Sequence, residues 1–183
     1  MGVKGDITRS NIIEESRKLF VKKGFKDVTM SDICEATGLS RGGLYRHFSS
    51  PEEIFNEIMI DEFSFEEGIA RGESAKRMLT EAFSKMSAQI NNPSQSLSSA
   101  LYEYAAAGHE DFYTAVDDNE RKNWSDLIEY GIRSHEFKKV NIESMVDLIL
   151  YYSRGLMLWS KVIDPGEDAA ANYINTISEI LCK

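Results

Sequence analysis

The chain is poor in residues that interrupt helices. Its 183 residues include three prolines, Pro51, Pro93 and Pro165. Each stands near the start of a helical pattern, where a missing N–H costs little. Alternating apolar and polar runs, the mark of a half-buried strand, do not persist. The two cysteines, Cys34 and Cys182, are far apart in helical patterns. That excludes a disulfide framework and zinc-finger spacing, and two reduced, partly buried thiols are expected. The histidines His47, His109 and His135 show no metal-ligand spacing. The most apolar stretch, 145–162, is interrupted by Asp147, Arg154 and Lys161, so it is a poor membrane span. Residues 1–6 have no apolar signal region. A cytoplasmic protein with no membrane partner is expected. No nucleophile–base pair, metal spacing or phosphate loop occurs, so neither an enzyme nor a cofactor is expected.

What is present is helical spacing nearly everywhere and a hydrophobic fraction of 42%, enough for a packed core. The chain is therefore expected to be all-α. Its formal net charge is −9, but the charge is unevenly placed. Residues 1–48 hold nine Lys/Arg and six Asp/Glu, net +3, and residues 49–183 hold twelve and twenty-four, net −12. A basic end on an acidic body can meet phosphates while the body is repelled by them.

Residues 29–48 carry the clearest pattern. A short helix with Met30, Ile33, Cys34 and Ala36 as its apolar positions starts at the cap candidate Thr29. Gly38 can turn left-handed and stop it. Leu39 plugs the core and Ser40 caps a second helix. Leu44 and Phe48 lie on one face of that helix, leaving Arg41, Tyr45 and Arg46 to point outward. Two helices across a glycine turn, the second with outward basic and aromatic side chains, is an arrangement that reads a major groove.

Around this stretch, the spacing predicts a first helix from Thr8 to Lys23, with Ile12, Ile13, Ser16, Leu19 and Phe20 on its inner face. Arg17, Lys18, Lys22, Lys23 and Lys26 near its end suit either a solvated face or phosphate contact. A fourth helix starts with a serine cap, Pro51 and acids. It carries Ile54, Phe55, Ile58, Met59 and Phe63 and runs to about Glu67, where Gly68 and Gly72 break it. Further helices are expected over residues 73–90, 97–108, 142–163 and 168–181. Between them, a segment with Phe112, Tyr113 and Val116 leads through polar residues 117–123 to Trp124, Leu127 and Ile128. Residues 135–139 read as a turn.

The N-terminal residues resemble the TetR/AcrR family of bacterial transcriptional regulators. The matching positions are Ile13, Leu19-Phe20, Gly24-Phe25, Thr29-Met30, Asp32-Ile33, Gly38-Leu39-Ser40, Gly42, Leu44-Tyr45, His47-Phe48 and Glu53. They cover roughly residues 8–60. Weaker echoes are Tyr130-Gly131-Ile132-Arg133, Glu136-Phe137-Lys138 and Arg154-Gly155-Leu156. The resemblance implies an N-terminal three-helix helix-turn-helix domain at residues 1–50, joined by the fourth helix to a larger helical domain at 51–183. That larger domain would bind a small-molecule effector and dimerise. The function implied is a ligand-responsive repressor released from a palindromic operator. The alternatives are an enzyme on a helical scaffold and a basic-ended protein-interaction module.

Position by position, the resemblance implies that Thr29 and Ser31 hold a phosphate. Ser40, Arg41, Gly42, Gly43 and Arg46 stand at the groove, with Arg41 and Gly42 facing base edges and Arg41 the main base reader. Tyr45 and His47 touch the backbone. Gly43 replaces the small side chain usual in the family, and paired glycines predict a soft recognition helix, at about 1 kcal/mol each against alanine. Pro51 replaces a common lysine, which predicts weaker non-specific DNA binding. For the effector, the candidates are Phe83, Met86, Tyr104, Phe112, Trp124, Tyr151 and Trp159, residues that line pockets but also fill cores. Glu103, Asp117 and Glu129 would suit a cationic ligand. For the homodimer, the late helices offer Leu148, Ile149, Tyr152, Leu156, Tyr173, Ile177 and Ile180, because a helix apolar on almost all sides needs cover on almost all sides.

Overall fold

The computed structural model describes residues 3–60, 64–92 and 96–183. The described residues form ten helices: α1 Val3–Lys23, α2 Met30–Thr37, α3 Arg41–Tyr45, α4 Pro51–Ile60, α5 Glu66–Ala70, α6 Ala75–Asn91, α7 Ser98–Ala105, α8 Glu110–Arg133, α9 Ile142–Trp159 and α10 Ala169–Leu181. Among them the one extended pairing is an isolated bridge between Phe137 and Cys182. The chain is all-α, and it divides into two compact units: Met1–Glu62 with Leu97–Tyr113, and Phe63–Ser96 with Thr114–Lys183.

In the first unit, α1 begins at Val3, ahead of the cap expected at Thr8. A lone glycine, Gly5, weakens a helix without ending it, and no proline stands there to stop it. The inner face of α1 is Ile12, Ser16 and Phe20, all fully buried. Gly24 ends the helix at φ 81°, its N–H donating to the Phe20 carbonyl at 2.9 Å. Pro51 opens α4 as expected, with the Ser50 hydroxyl accepting from the Glu53 N–H at 3.2 Å. The Glu53 carboxylate in turn accepts from the Ser49 N–H at 2.6 Å, which lowers its pKa. Ile54, Phe55, Ile58 and Met59 are its buried face. Phe63 and Pro93 lie outside the described residues.

An aromatic cluster fills this unit. Phe25 meets Phe55 at 5.2 Å and Tyr104 at 4.6 Å, both edge-on, and Tyr104 stacks flat on His109 at 4.1 Å. The Glu103 carboxylate accepts from the Phe25 N–H at 2.9 Å and the Lys26 N–H at 3.4 Å. It reaches the turn because Gly24 has no side chain: a Cβ there would sit 2.4 Å from Glu103 Oε2.

The second unit corrects two boundaries. The fourth helix does not run through Glu67; Ser64 and Phe65 are not helical, and Glu66–Ala70 is a separate helix. Phe65 turns inward against Trp124, at 5.3 Å. Gly68 does not break a helix. It is buried inside α5, where a Cβ would come 2.5 Å from Met78 Sδ. Gly72, at φ 71°, follows the helix end. Residues 117–123 are continuous α8, because their charges pair: Arg121 donates to Asp117 and to Asp147, each at 2.6 Å. α9 stops at Trp159, short of Ile163.

The core of this unit is Phe65, Met78, Leu79, Phe83, Trp124, Leu127, Ile128, Val146, Ile149, Leu150, Tyr173, Ile177 and their neighbours. The expected turn at 135–139 lies in the non-helical stretch after α8, which begins at Ser134, with His135 left-handed at φ 62°. Phe137 is buried against Gly131, where a Cβ would meet its ring at 2.2 Å. The Glu136 carboxylate accepts from the Ser74 hydroxyl at 2.5 Å and from the Ala75 and Lys76 N–H groups at 2.9 and 3.1 Å, at the start of α6. Burial opposes its ionisation, but these bonds outweigh burial and lower its pKa. The Gly131, Glu136 and Phe137 positions are thus one built corner.

Candidate nucleic-acid interface

α2, the turn and α3 are fixed from below by buried Ile33, Leu44 and Phe48. Gly38 takes φ 70° and closes α2. The Ser40 hydroxyl accepts from the Gly43 N–H at 3.2 Å and caps α3. Regular helix ends at Tyr45, so Phe48 stands past it, its N–H donating to the Leu44 carbonyl at 3.1 Å. Leu39 is half-buried.

Thr29 caps α2 through a reciprocal arrangement with Asp32. The Thr29 hydroxyl accepts from the Asp32 N–H at 3.2 Å, and Asp32 Oδ2 accepts from the Thr29 N–H at 2.8 Å and its hydroxyl at 2.6 Å. Lys23 also donates to Asp32, at 2.7 Å. That bond, then those from Thr29, hold the Asp32 carboxyl far below the ordinary range. The spacing Thr29-x-x-Asp32 could have suggested this box from sequence. Ser31 is exposed and accepts from Arg41 Nη2 at 3.1 Å.

Arg41, Gly42, Tyr45 and Arg46 are exposed, with Tyr45 at 54%. A Cβ at Gly42 would meet nothing within 4 Å, whereas one at Gly43 would press the Ser40 hydroxyl at 3.3 Å. His47 is half-buried, and its carbonyl accepts from Arg9 Nη1 at 3.0 Å. Arg9 was not foreseen. It also ion-pairs with Glu57 and lies over the Phe48 ring at 4.1 Å, tying α1, α4 and the end of the motif together. Partners 38 and 48 residues away leave no local signal in the sequence. Of the basic residues near the end of α1, Lys18 is paired with Glu14 and Glu15 and Lys23 with Asp32.

The effector candidates are divided. Tyr104 and Phe112 belong to the first unit, 5.4 Å apart edge-on. Phe83 and Trp124 meet at 5.9 Å in the core of the second, with Met86 packed on that core. Tyr151 and Trp159 are exposed, at 62% and 60%. Two of the acids read as suiting a cation are engaged elsewhere: Glu103 holds the α1–α2 turn, and Asp117 takes hydrogen bonds from Arg121 and Arg154. Glu129 is exposed. Of the dimer candidates, Leu148, Tyr152 and Ile180 are exposed, and Leu156 is half-buried. Ile149, Tyr173 and Ile177 lie inside the core of the second unit. Among the described residues no helix is long and apolar enough to cross a membrane.

A capped two-helix motif with a left-handed glycine turn, set in an all-α chain, defines a helix-turn-helix DNA-binding protein. The family profile of bacterial regulatory proteins, tetR family, matches residues 12–58. An uncharacterised HTH-type transcriptional regulator, YfiR of Bacillus subtilis (strain 168), is 30% identical over 147 residues, 74% of this chain and 70% of the relative. The HTH-type transcriptional repressor KstR2 of Rhodococcus jostii (strain RHA1) is 27% identical over 140 residues, 71% of this chain and 68% of the relative. Among solved structures, TylP, a TetR regulator from Streptomyces fradiae, superposes with a TM-score of 0.74 at 14% identity, covering 96% of this chain and 87% of that one. A TetR-family regulator from Cytophaga hutchinsonii gives 0.68 at 20% identity, covering 98% and 96%. These last two are likenesses of fold. The chain belongs to the TetR family of bacterial regulatory proteins, and it is a DNA-binding transcriptional regulator.

Proposed function

We propose that this regulator is a cytoplasmic, ligand-responsive repressor that binds a palindromic operator as a homodimer. Residues 1–50 would bind DNA, and residues 51–183 would bind the effector and dimerise. The carrying observation is that Arg41, Tyr45 and Arg46 are exposed on a short segment whose other side is pinned by buried Leu44 and Phe48. Arg41 reads a base edge, with Gly42 and Gly43 beside it admitting close approach. Ser40 and Arg46 flank it, and Thr29, Tyr45 and His47 face the phosphate backbone. The repressor sign is supported by relatives named as repressors, KstR2 among them.

The dimer reading is supported by exposed Leu148, Tyr152 and Trp159 on α9 and Ile180 on α10, an apolar surface of the kind that a second copy covers. The effector reading rests on Phe83, Met86 and Trp124 in the second unit. A compound preferring the DNA-free state would shift the population off the operator. The test is selection from random duplex DNA by the folded protein. The expected result is a palindrome with half-sites about 10 base pairs apart or a small multiple. A folded dimer that enriches no sequence, and none upstream of its own gene, would overturn the reading.

A further inference from the structure

We propose that Ser31 is a positioning residue that aims Arg41, so that the two act as one unit reading a guanine in each half-site. The inference rests on the DNA-binding reading above and assigns Ser31 a role other than phosphate contact. Three observations carry it. Ser31 stands in the first turn of α2 and accepts from Arg41 Nη2 at 3.1 Å, across the turn of the motif. Gly42 has open space around it and Gly43 has no side chain, so neither neighbour supplies a wall against which Arg41 could lean. α3 spans only Arg41–Tyr45, and Arg41 is its first residue.

The hydrogen-bond chemistry suits the role. A guanidinium has five N–H donors in a planar fork. Ser31 takes one hydrogen of Nη2, which leaves Nη2 a second hydrogen and leaves Nη1 and Nε both free to complete a fork. That fork matches O6 and N7 of guanine. An exposed arginine on a glycine-flanked position samples many rotamers, and ordering it on binding costs entropy. A hydroxyl that holds it beforehand reduces that cost for the one base pair that Arg41 meets. A hydroxyl spent on a phosphate would instead strengthen binding to every sequence alike.

The experiment is operator selection from random duplexes, followed by fluorescence-anisotropy titration of the selected operator, single-base variants and unrelated duplex. It compares the wild type with Ser31→Ala, Ser31→Thr, Arg41→Ala and the double variant, each checked for fold by circular dichroism. Arg41→Ala is expected to erase the preference for guanine at one position per half-site. Ser31→Ala should weaken that same preference roughly three- to tenfold, the worth of one hydrogen bond. It should leave other positions and binding to unrelated duplex unchanged, and add nothing in the Arg41→Ala background. Ser31→Thr, which keeps the hydroxyl, should keep the preference. Equal weakening on all duplexes, or a loss that persists without Arg41, would overturn the proposal in favour of a phosphate contact. A wild-type protein that selects no sequence would overturn the DNA-binding reading itself, and this inference with it.

Discussion

Replacing Gly24 with alanine should loosen the first unit through a residue 79 positions away, Glu103. Two effects act. Alanine at φ 81° suffers the left-handed penalty, roughly 1–2 kcal/mol. Its Cβ would also stand 2.4 Å from Glu103 Oε2, so the carboxylate must withdraw. That end is flexible and moves easily, but withdrawal breaks the 2.9 Å bond from the Phe25 N–H. A hydrogen bond to a charged group is worth about 1.5–3 kcal/mol. Reduced freedom of the unfolded chain returns about 0.4–1 kcal/mol. The net loss is about 2–4 kcal/mol. In the Glu103→Ala background the carboxylate is already gone, and Gly24→Ala should cost only about 1 kcal/mol. Both tryptophans, Trp124 and Trp159, lie in the second unit, so their fluorescence reports on the wrong part of the chain. Native-state hydrogen exchange of the α1 and α2 amides is the suitable assay. Strictly additive losses in the double-mutant cycle would refute the coupling between Gly24 and Glu103.

Arg9→Ala should destabilise the first unit by about 1–2 kcal/mol in the same assay, and Arg9→Lys should not restore it, because an ammonium reproduces neither the fork on Glu57 and the His47 carbonyl nor the stacking on Phe48. Glu136 has a lowered folded-state pKa, so its contribution is present above the unfolded value near 4.3 and is lost as pH falls through the folded one. Glu136→Gln should therefore be less stable at pH 7 and show a shallower loss between about pH 5 and 3, read by acid titration of the far-ultraviolet signal. Tyr152→Glu, on the exposed side of α9, should yield folded monomers by sedimentation velocity, and an unchanged dimer would send the interface elsewhere.

The elements that depend on local chemistry were legible in the sequence. Gly38, Ser40 and Gly24 each act within a few residues, and the structure places them at the turn, cap and stop that their types imply. Leu44 and Phe48 point inward as their spacing requires. What was not legible depends on partners far along the chain. Gly68 looks like a breaker until Met78 is known to press on it. The polar run in α8 shows no apolar helical face in the sequence, and its pairing with Arg154 and Asp147 of α9 appears only in the structure. Composition likewise groups Tyr104 with Trp124 as aromatics, although Tyr104 packs on Phe25 and Phe55 and Trp124 on Phe65 and Phe83. Arg41 was legible as an outward-pointing side chain, but its bond to Ser31 depends on how two helices meet across a turn.

The paired glycines of α3 set a limit best expressed as information. One arginine choosing one base out of four supplies about two bits, and a palindrome read twice supplies about four. Singling out one site among about a million competitors takes about twenty. A recognition helix with hydrogen atoms at Gly42 and Gly43 would bring little further side chain to a groove with which to make up the difference. The remaining bits fall to the shape and stiffness of the duplex. If Arg41 reads a guanine as proposed, mutations at base pairs that the protein never touches should matter as much as those at that guanine.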